Sequence, residues 1–325
     1  MKVLTMLRDT LYPEITPNRS DMMVLDSIHT MYWEESGNPE GIPVLFLHGG
    51  PGAGTSARHR QFFDPAAYKI ILFDQRGAGR STPLGELREN TTAHLIADIE
   101  CLRETLGVEQ WLIFGGSWGS TLALAYAQAH ATRCLGLILR GIFLCRPIEI
   151  DWFLYGMRYF FPEHWAEFAG FLPEEERHDL LANYYHRLID PDPAVHIPAA
   201  RVWSTYEGRC ATLLPDESIA SHFASDAVAI GLGRIEAHYF HHRIFLPENS
   251  LLENIPAIRH LPAVIVQGRY DVCCPPMTAY ELKAAWPEAE FIVAKDAGHS
   301  ASEPSIQREL VRACEQFKQR IRGYP

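Results

Sequence analysis

Residues 113–129 read IFGGSWGSTLALAYAQA, which sets Ser117 among glycines and small apolar residues, with no charged side chain in the run. The uncharged stretch extends from Gln110 to Thr132, long enough to raise the question of a membrane span. Gly115, Gly116, Ser117, Gly119, Ser120, Thr121 and Gln128 make it too polar and too interrupted for that, and no second candidate span accompanies it. A buried strand, a tight turn and a helix account for it better. Gly115-Gly116-Ser117-Trp118-Gly119 satisfies G-x-S-x-G directly after the apolar run WLIF (111–114) and directly before the helix-like STLALAYAQA (120–129). The glycines permit a sharp turn that lifts the serine hydroxyl above a sheet. The first N–H groups of the following helix then point toward any negative charge that develops there.

Similar apolar runs recur on both sides of this stretch: VLFLH (44–48), IILFD (70–74), LGLIL (135–139), AVIVQG (263–268) and FIVA (291–294). They do not alternate with polar residues, which is how strands buried on both faces read. Between two of them, TTAHLIADIECLRETLG places Leu95, Ile99, Leu102 and Leu106 on one helical face, with Thr91 as a cap and Gly107 at the stop. The tail carries Ile306, Leu310, Cys314, Phe317 and Ile321 in the same way, after Ser302 and Pro304. Strands alternating with helices predict an α/β fold with a mostly parallel central sheet flanked by helices. The rhythm lapses between about Arg146 and Phe245, where text such as DWFLYGMRYFFPEHWAEF replaces it. The expected organisation is a catalytic domain from residues 1–145 and 246–325, with a mainly helical cap, 146–245, inserted in it.

The chain has 325 residues, 47% of them hydrophobic, and a formal net charge of −11. That balance argues against nucleic acid and anionic lipid as partners and suits a small cationic substrate. Seven cysteines, odd in number and without paired CxxC spacing, argue against a disulfide framework and a structural zinc site. Arg8 and Asp9 fall where an export signal would have its apolar segment, so the expected location is the cytoplasm.

A serine hydroxyl needs a base to take its proton and a carboxylate to orient that base. Of fifteen histidines, His299 in KDAGHS lies just past the strand-like FIVA, in a small-residue turn. Asp271 in GRYDVCCP lies just past AVIVQG. The order Ser117, Asp271, His299 is the chain order of the α/β-hydrolase triad. Oxyanion donors are expected from the backbone N–H of Trp118 and from HGGPGAG (48–54), with Gly50 preferred and Gly49 next. His238, His241 and His242 share a helical face, but without HExxH or a carboxylate partner they are read as packing residues, and no metal is expected.

HGGPGAG (48–54), DQRGAGRS (74–81), GGSWGSTLALAYA (115–127), LRGIF (139–143), GRYDVCCP (268–275) and AGHS (297–300), in this order, resemble the prolyl iminopeptidases, serine peptidases of the α/β-hydrolase class. The resemblance implies release of N-terminal proline from peptides, without a metal or organic cofactor, under a cap that covers the site. It implies that Glu207 and Glu236 hold the substrate's free amino end; two convergent carboxylates suit a secondary ammonium and reject an acylated proline. It also implies that Phe143, Phe153, Phe240 and Cys274 line the proline slot. The stretch RCATLLP (209–215) and three single positions depart from the family's usual text. Ala78 replaces cysteine, Tyr206 replaces tryptophan, and Phe153 replaces a frequent tyrosine, so slot shape and acceptor preference are open. Two other readings also stay open: an esterase or amidase on the same scaffold, and a non-catalytic binding protein. Oligomeric state is not legible.

Overall fold

Apolar residues that succeed one another along a strand must face opposite sides of a sheet, so an unbroken apolar strand needs cover on both. The computed structural model, which describes residues 8–322, meets that requirement. Its strands are β1 (Arg19–Val24), β2 (Thr30–Gly37), β3 (Ile42–Leu47), β4 (Tyr68–Phe73), β5 (Trp111–Ser117), β6 (Cys134–Ile142), β7 (Ala263–Gly268) and β8 (Glu290–Ala294). They form one sheet in the order β1-β2-β4-β3-β5-β6-β7-β8. β2 runs antiparallel to β1 and β4, and every other neighbouring pair is parallel.

In β5, Trp111 and Ile113 join the core on one face, and Leu112 and Phe114 join the core on the other. β3 and β4 divide in the same way, with Leu45, Leu47, Ile71 and Phe73 against Val44, Phe46, Ile70 and Leu72. Each such side chain, fully withdrawn from water, contributes on the order of 1.5–3 kcal/mol before entropy is counted. Helices supply the cover. α1 (Thr92–Thr105) lays Leu95, Ile99 and Leu102 on the first face, beside α2 (Trp118–Ala129). Thr91 caps α1 by accepting from the His94 N–H, and Gly107 follows its end at φ +63°.

β1 and β2 are absent from the sequence reading. β1 is almost wholly exposed, and β2 buries Glu34 and Glu35, so neither strand is apolar along its length. Arg60 neutralises Glu34 through two bonds of 2.6 and 2.9 Å, and Arg19 and Lys69 pair with Glu35.

After β6 the chain leaves the sheet. α3 (Pro147–Asp151), α4 (Pro162–Gly170), α5 (Leu180–Leu188), α6 (Pro193–Cys210), α7 (Glu217–Ala224), α8 (Asp226–His241) and α9 (Ser250–Glu253) follow before β7. Among the described residues, no strand lies between Ile142 and Ala263. α6 and α8 pack on each other, and an aromatic cluster of Phe153, Phe168, Tyr184, Trp203, Tyr206 and Phe240 fills the space around α6. α10 (Pro276–Ala285) follows β7, and α11 (Pro304–Arg322) closes the second face with Ile306, Leu310, Cys314 and Phe317. None of the described helices is long and apolar enough to cross a membrane.

Candidate active site

Ser117 is the last residue of β5, immediately before α2, with φ 58° and ψ −128°, a backbone conformation that a side chain adopts only where its surroundings impose it. Here the imposition is steric. A Cβ at Gly115 would collide with the Gly119 carbonyl, and one at Gly119 would collide with the Leu47 carbonyl, so the turn closes only with glycine at both places. Trp118 opens α2, so its N–H is among those a helix leaves unbonded. Gly49 faces the serine: a Cβ there would stand 4.0 Å from Ser117 Oγ, and Gly50 follows it at φ +105°.

Asp271 and His299 come together across two strand ends. His299 Nδ1 donates to Asp271 Oδ2 at 2.8 Å, which leaves Nε2 without a proton. The carboxylate is fixed by the Cys274 N–H at 2.7 Å on one oxygen and by Gln267 Nε2 at 3.1 Å on the other. Arg140, in β6, lies against the base and against Gly116, the residue before the serine. Its Nη1 lies 3.0 Å from both His299 Nε2 and the His299 carbonyl oxygen, and its guanidinium lies where a Cβ on Gly116 would project. His299 Nε2, the atom expected to take the serine proton, therefore accepts from Arg140 in this state. Burial pushes the Arg140 guanidinium pKa down, against the nearby Asp271 charge.

Two carboxylates are buried close to this centre. Glu207 on α6 and Glu236 on α8 interact with each other directly, and Trp203 Nε1 donates to Glu236 Oε2 at 2.5 Å. Burial pushes Glu207 up to about 7, with Arg140 opposing, and pushes Glu236 well above the usual carboxylate range, with the Glu207 charge adding to the effect. The pair therefore holds a proton near neutral pH. Among the described residues, no N–H or hydroxyl group of another residue type reaches the buried Glu207 Oε2, so this oxygen is open to a donor supplied by a ligand. Beside it, Phe143 and Phe153 both pack on Phe240, at 5.6 and 5.7 Å between ring centres.

Sequence comparison gives the family. A family model described as the alpha/beta hydrolase fold matches residues 42–305. A probable proline iminopeptidase of Leptolyngbya boryana is 52% identical over 309 residues, covering 94% of this chain and 96% of that protein. The proline iminopeptidase of Arabidopsis thaliana is 52% identical over 312 residues, covering 95% and 82%. This chain belongs to the proline iminopeptidase family. The solved structure of an esterase from Rhodococcus shares the fold at 18% identity and a TM-score of 0.58, covering 91% of this chain and 98% of that one.

Against the proline iminopeptidase motifs, the three single-residue departures now have surroundings. Ala78 is fully buried. Tyr206 stacks on Phe168 at 4.4 Å, and its hydroxyl donates to the Phe153 carbonyl at 3.1 Å, so the hydroxyl is engaged with backbone. The Phe153 ring has Trp203, Tyr206 and Phe240 around it. Cys274 is buried, and desolvation raises its thiol well above the usual range, which suits a wall residue and not a nucleophile. His238 Nε2 donates to the Asn90 carbonyl at 3.1 Å, and the Tyr185 ring stacks on His241 at 4.1 Å. Arg140 is the residue that sequence reading passed over. It stood in the quoted LRGIF as an unremarked letter, because its partner His299 is 159 positions away.

Proposed function

We propose that this chain releases N-terminal proline from peptides as a serine exopeptidase, working through an acyl-enzyme. Ser117 Oγ attacks the carbonyl carbon of the first residue while His299 Nε2 takes its proton, and Asp271 holds the imidazolium that forms. For this, Arg140 must yield its place at Nε2. The oxyanion meets the backbone N–H groups of Trp118 and Gly50. Collapse of the tetrahedral intermediate breaks the C–N bond, and His299 returns the proton to the leaving amine. Water, deprotonated by His299, then attacks the prolyl ester, frees proline and restores Ser117. The ring of the proline sits among Phe143, Phe153, Phe240 and Cys274, and residues 146–245 act as the cap that closes over it.

The observation that carries the substrate assignment is the buried Glu207–Glu236 pair with its oxygen open to a donor. An unacylated N-terminal proline offers a secondary ammonium with two N–H donors, which supplies what Glu207 Oε2 lacks and the positive charge that two adjacent carboxylates call for. An N-acetylated proline offers neither. The test compares arylamine release from proline arylamide, N-acetylproline arylamide and alanine arylamide. Rapid cleavage of the first, with the acetylated compound inert and alanine slow, is expected. Comparable cleavage of the acetylated compound would remove the amine anchor and leave an esterase or amidase.

A further inference from the structure

The two oxyanion donors come from separate segments, the loop after β3 and the first residue of α2, and no covalent link sets the distance between them. One side chain touches both. Gln75 follows β4, the strand next to β3, and is almost fully buried. Its Nε2 donates to the His48 carbonyl oxygen at 3.1 Å, and its Oε1 accepts from Trp118 Nε1 at 2.9 Å. The amide can lie only this way round, since a flip would set oxygen against oxygen and N–H against N–H.

Gln75 also holds His48 by its backbone. The Gln75 N–H donates to His48 Nε2 at 2.9 Å, so that nitrogen carries the lone pair and Nδ1 carries the proton, which it gives to the Gly49 carbonyl at 2.9 Å. His48 is thus tied at its ring and its carbonyl, one residue before the glycines that face the serine. On the other side, the fully buried Trp118 indole is wedged edge-on against Tyr239 at 4.7 Å, and the Tyr239 hydroxyl donates to Asn90 Oδ1 at 2.9 Å. The indole cannot turn without breaking its bond to Gln75 or leaving this seat.

We infer that Gln75 is a positioning residue that sets the spacing of the two halves of the oxyanion hole, acting through the His48 carbonyl and the Trp118 indole. The inference rests on the oxyanion role given to Trp118 and Gly50 above. Donors aimed at a developing charge matter far more in the transition state than in the ground state, so a misplaced donor lowers kcat and leaves substrate binding nearly untouched.

The experiment uses Gln75→Leu, which removes both side-chain bonds at similar size, and Trp118→Phe, which breaks the bridge from the other end. Three quantities are read: kcat and KM on proline arylamide, affinity for the boronic acid analogue of proline, which forms a tetrahedral adduct with the serine, and affinity for proline amide, read for each protein in a Ser117→Ala background where no adduct can form. Gln75→Leu is expected to lower kcat by roughly ten- to a hundredfold, a fraction of the loss on removing an oxyanion donor. KM and proline amide affinity stay within about twofold, while boronate affinity falls in step with kcat. Trp118→Phe follows the same pattern, and the double variant loses no more than Gln75→Leu alone. Unchanged kcat, or parallel loss of proline amide affinity, would overturn the positioning role. If Gln75→Leu does not fold, Trp118→Phe decides the matter by the same readings. Failure of the parent enzyme to bind the boronate more tightly than proline amide would instead sink the serine and oxyanion assignment beneath it.

Discussion

Replacing Ser117, the proposed nucleophile, with alanine is expected to lower kcat on proline arylamide by ~10⁴-fold or more, with binding of proline amide retained. Glu207 makes a prediction of a different sign in stability and in activity. Its pKa in the free protein is raised from the ordinary 4.5 to about 7, so the folded state binds a proton that the unfolded chain has given up. That contribution to stability is fully present below about pH 4.5 and is lost as pH rises through about 7. Glu207→Gln removes the penalty, so at pH 8 the free variant should melt higher than the parent, while its kcat/KM on proline arylamide falls steeply. A lower melting temperature at pH 8 would mean that the carboxylate is stabilised by groups other than those described. Cys274 gives a third test. Its raised thiol should alkylate far more slowly than the exposed Cys101, and Cys274→Ala should spare the activity that prolonged alkylation destroys. At this scale the sequence is legible where a residue's role is announced by its neighbours in the chain. Ser117, Asp271 and His299 each sit just past an apolar run, and Ser117 and His299 also among small residues. Arg140 and Gln75 do not announce themselves, because their partners lie 159 and 43 positions away and only the folded sheet brings them together.

Among the elements, six strands were readable because each is apolar along its length, and two were not. β2 carries Glu34 and Glu35 into the interior, where arginine and lysine side chains from outside the strand neutralise them. No local pattern foretells that pairing. The loop after β3 and the helix α8 meet in a contact that was equally hidden. Gly52, at φ +105°, lies so close to the Gly231 carbonyl that a Cβ would collide with it. Gly52→Ala should therefore push the loop off α8 and strain its own backbone, with a loss on the order of 1–3 kcal/mol. Denaturant titration reads the stability change. Because the same loop carries Gly50 and the same helix carries Glu236, kcat and KM should both suffer, unlike the kcat-only loss predicted for Gln75→Leu.

For the molecule as a whole, the segment between β6 and β7, the proposed cap, is bonded to the turn that carries His299. The carbonyl of Ala211, one residue past α6, accepts the N–H of both His299 and Ser300, at 3.1 and 2.8 Å. Glu303, at the base of the same turn, accepts from Gly298 and from Leu213 on the other side of the divide. The turn that presents the histidine is thus suspended from the segment above it. A hinged door is ordinarily free to swing while the room behind it stays furnished; here the door carries part of the furniture. Substrate admission through wholesale lifting of that segment would dismantle the proton-transfer geometry on every cycle and require its reassembly before each bond is broken. Ingress by small displacements at the rim leaves the suspension intact. The same tether limits how this scaffold can be recombined, since a foreign roof grafted onto the sheet would have to bring its own carbonyl to the place where Ala211 now hangs the base.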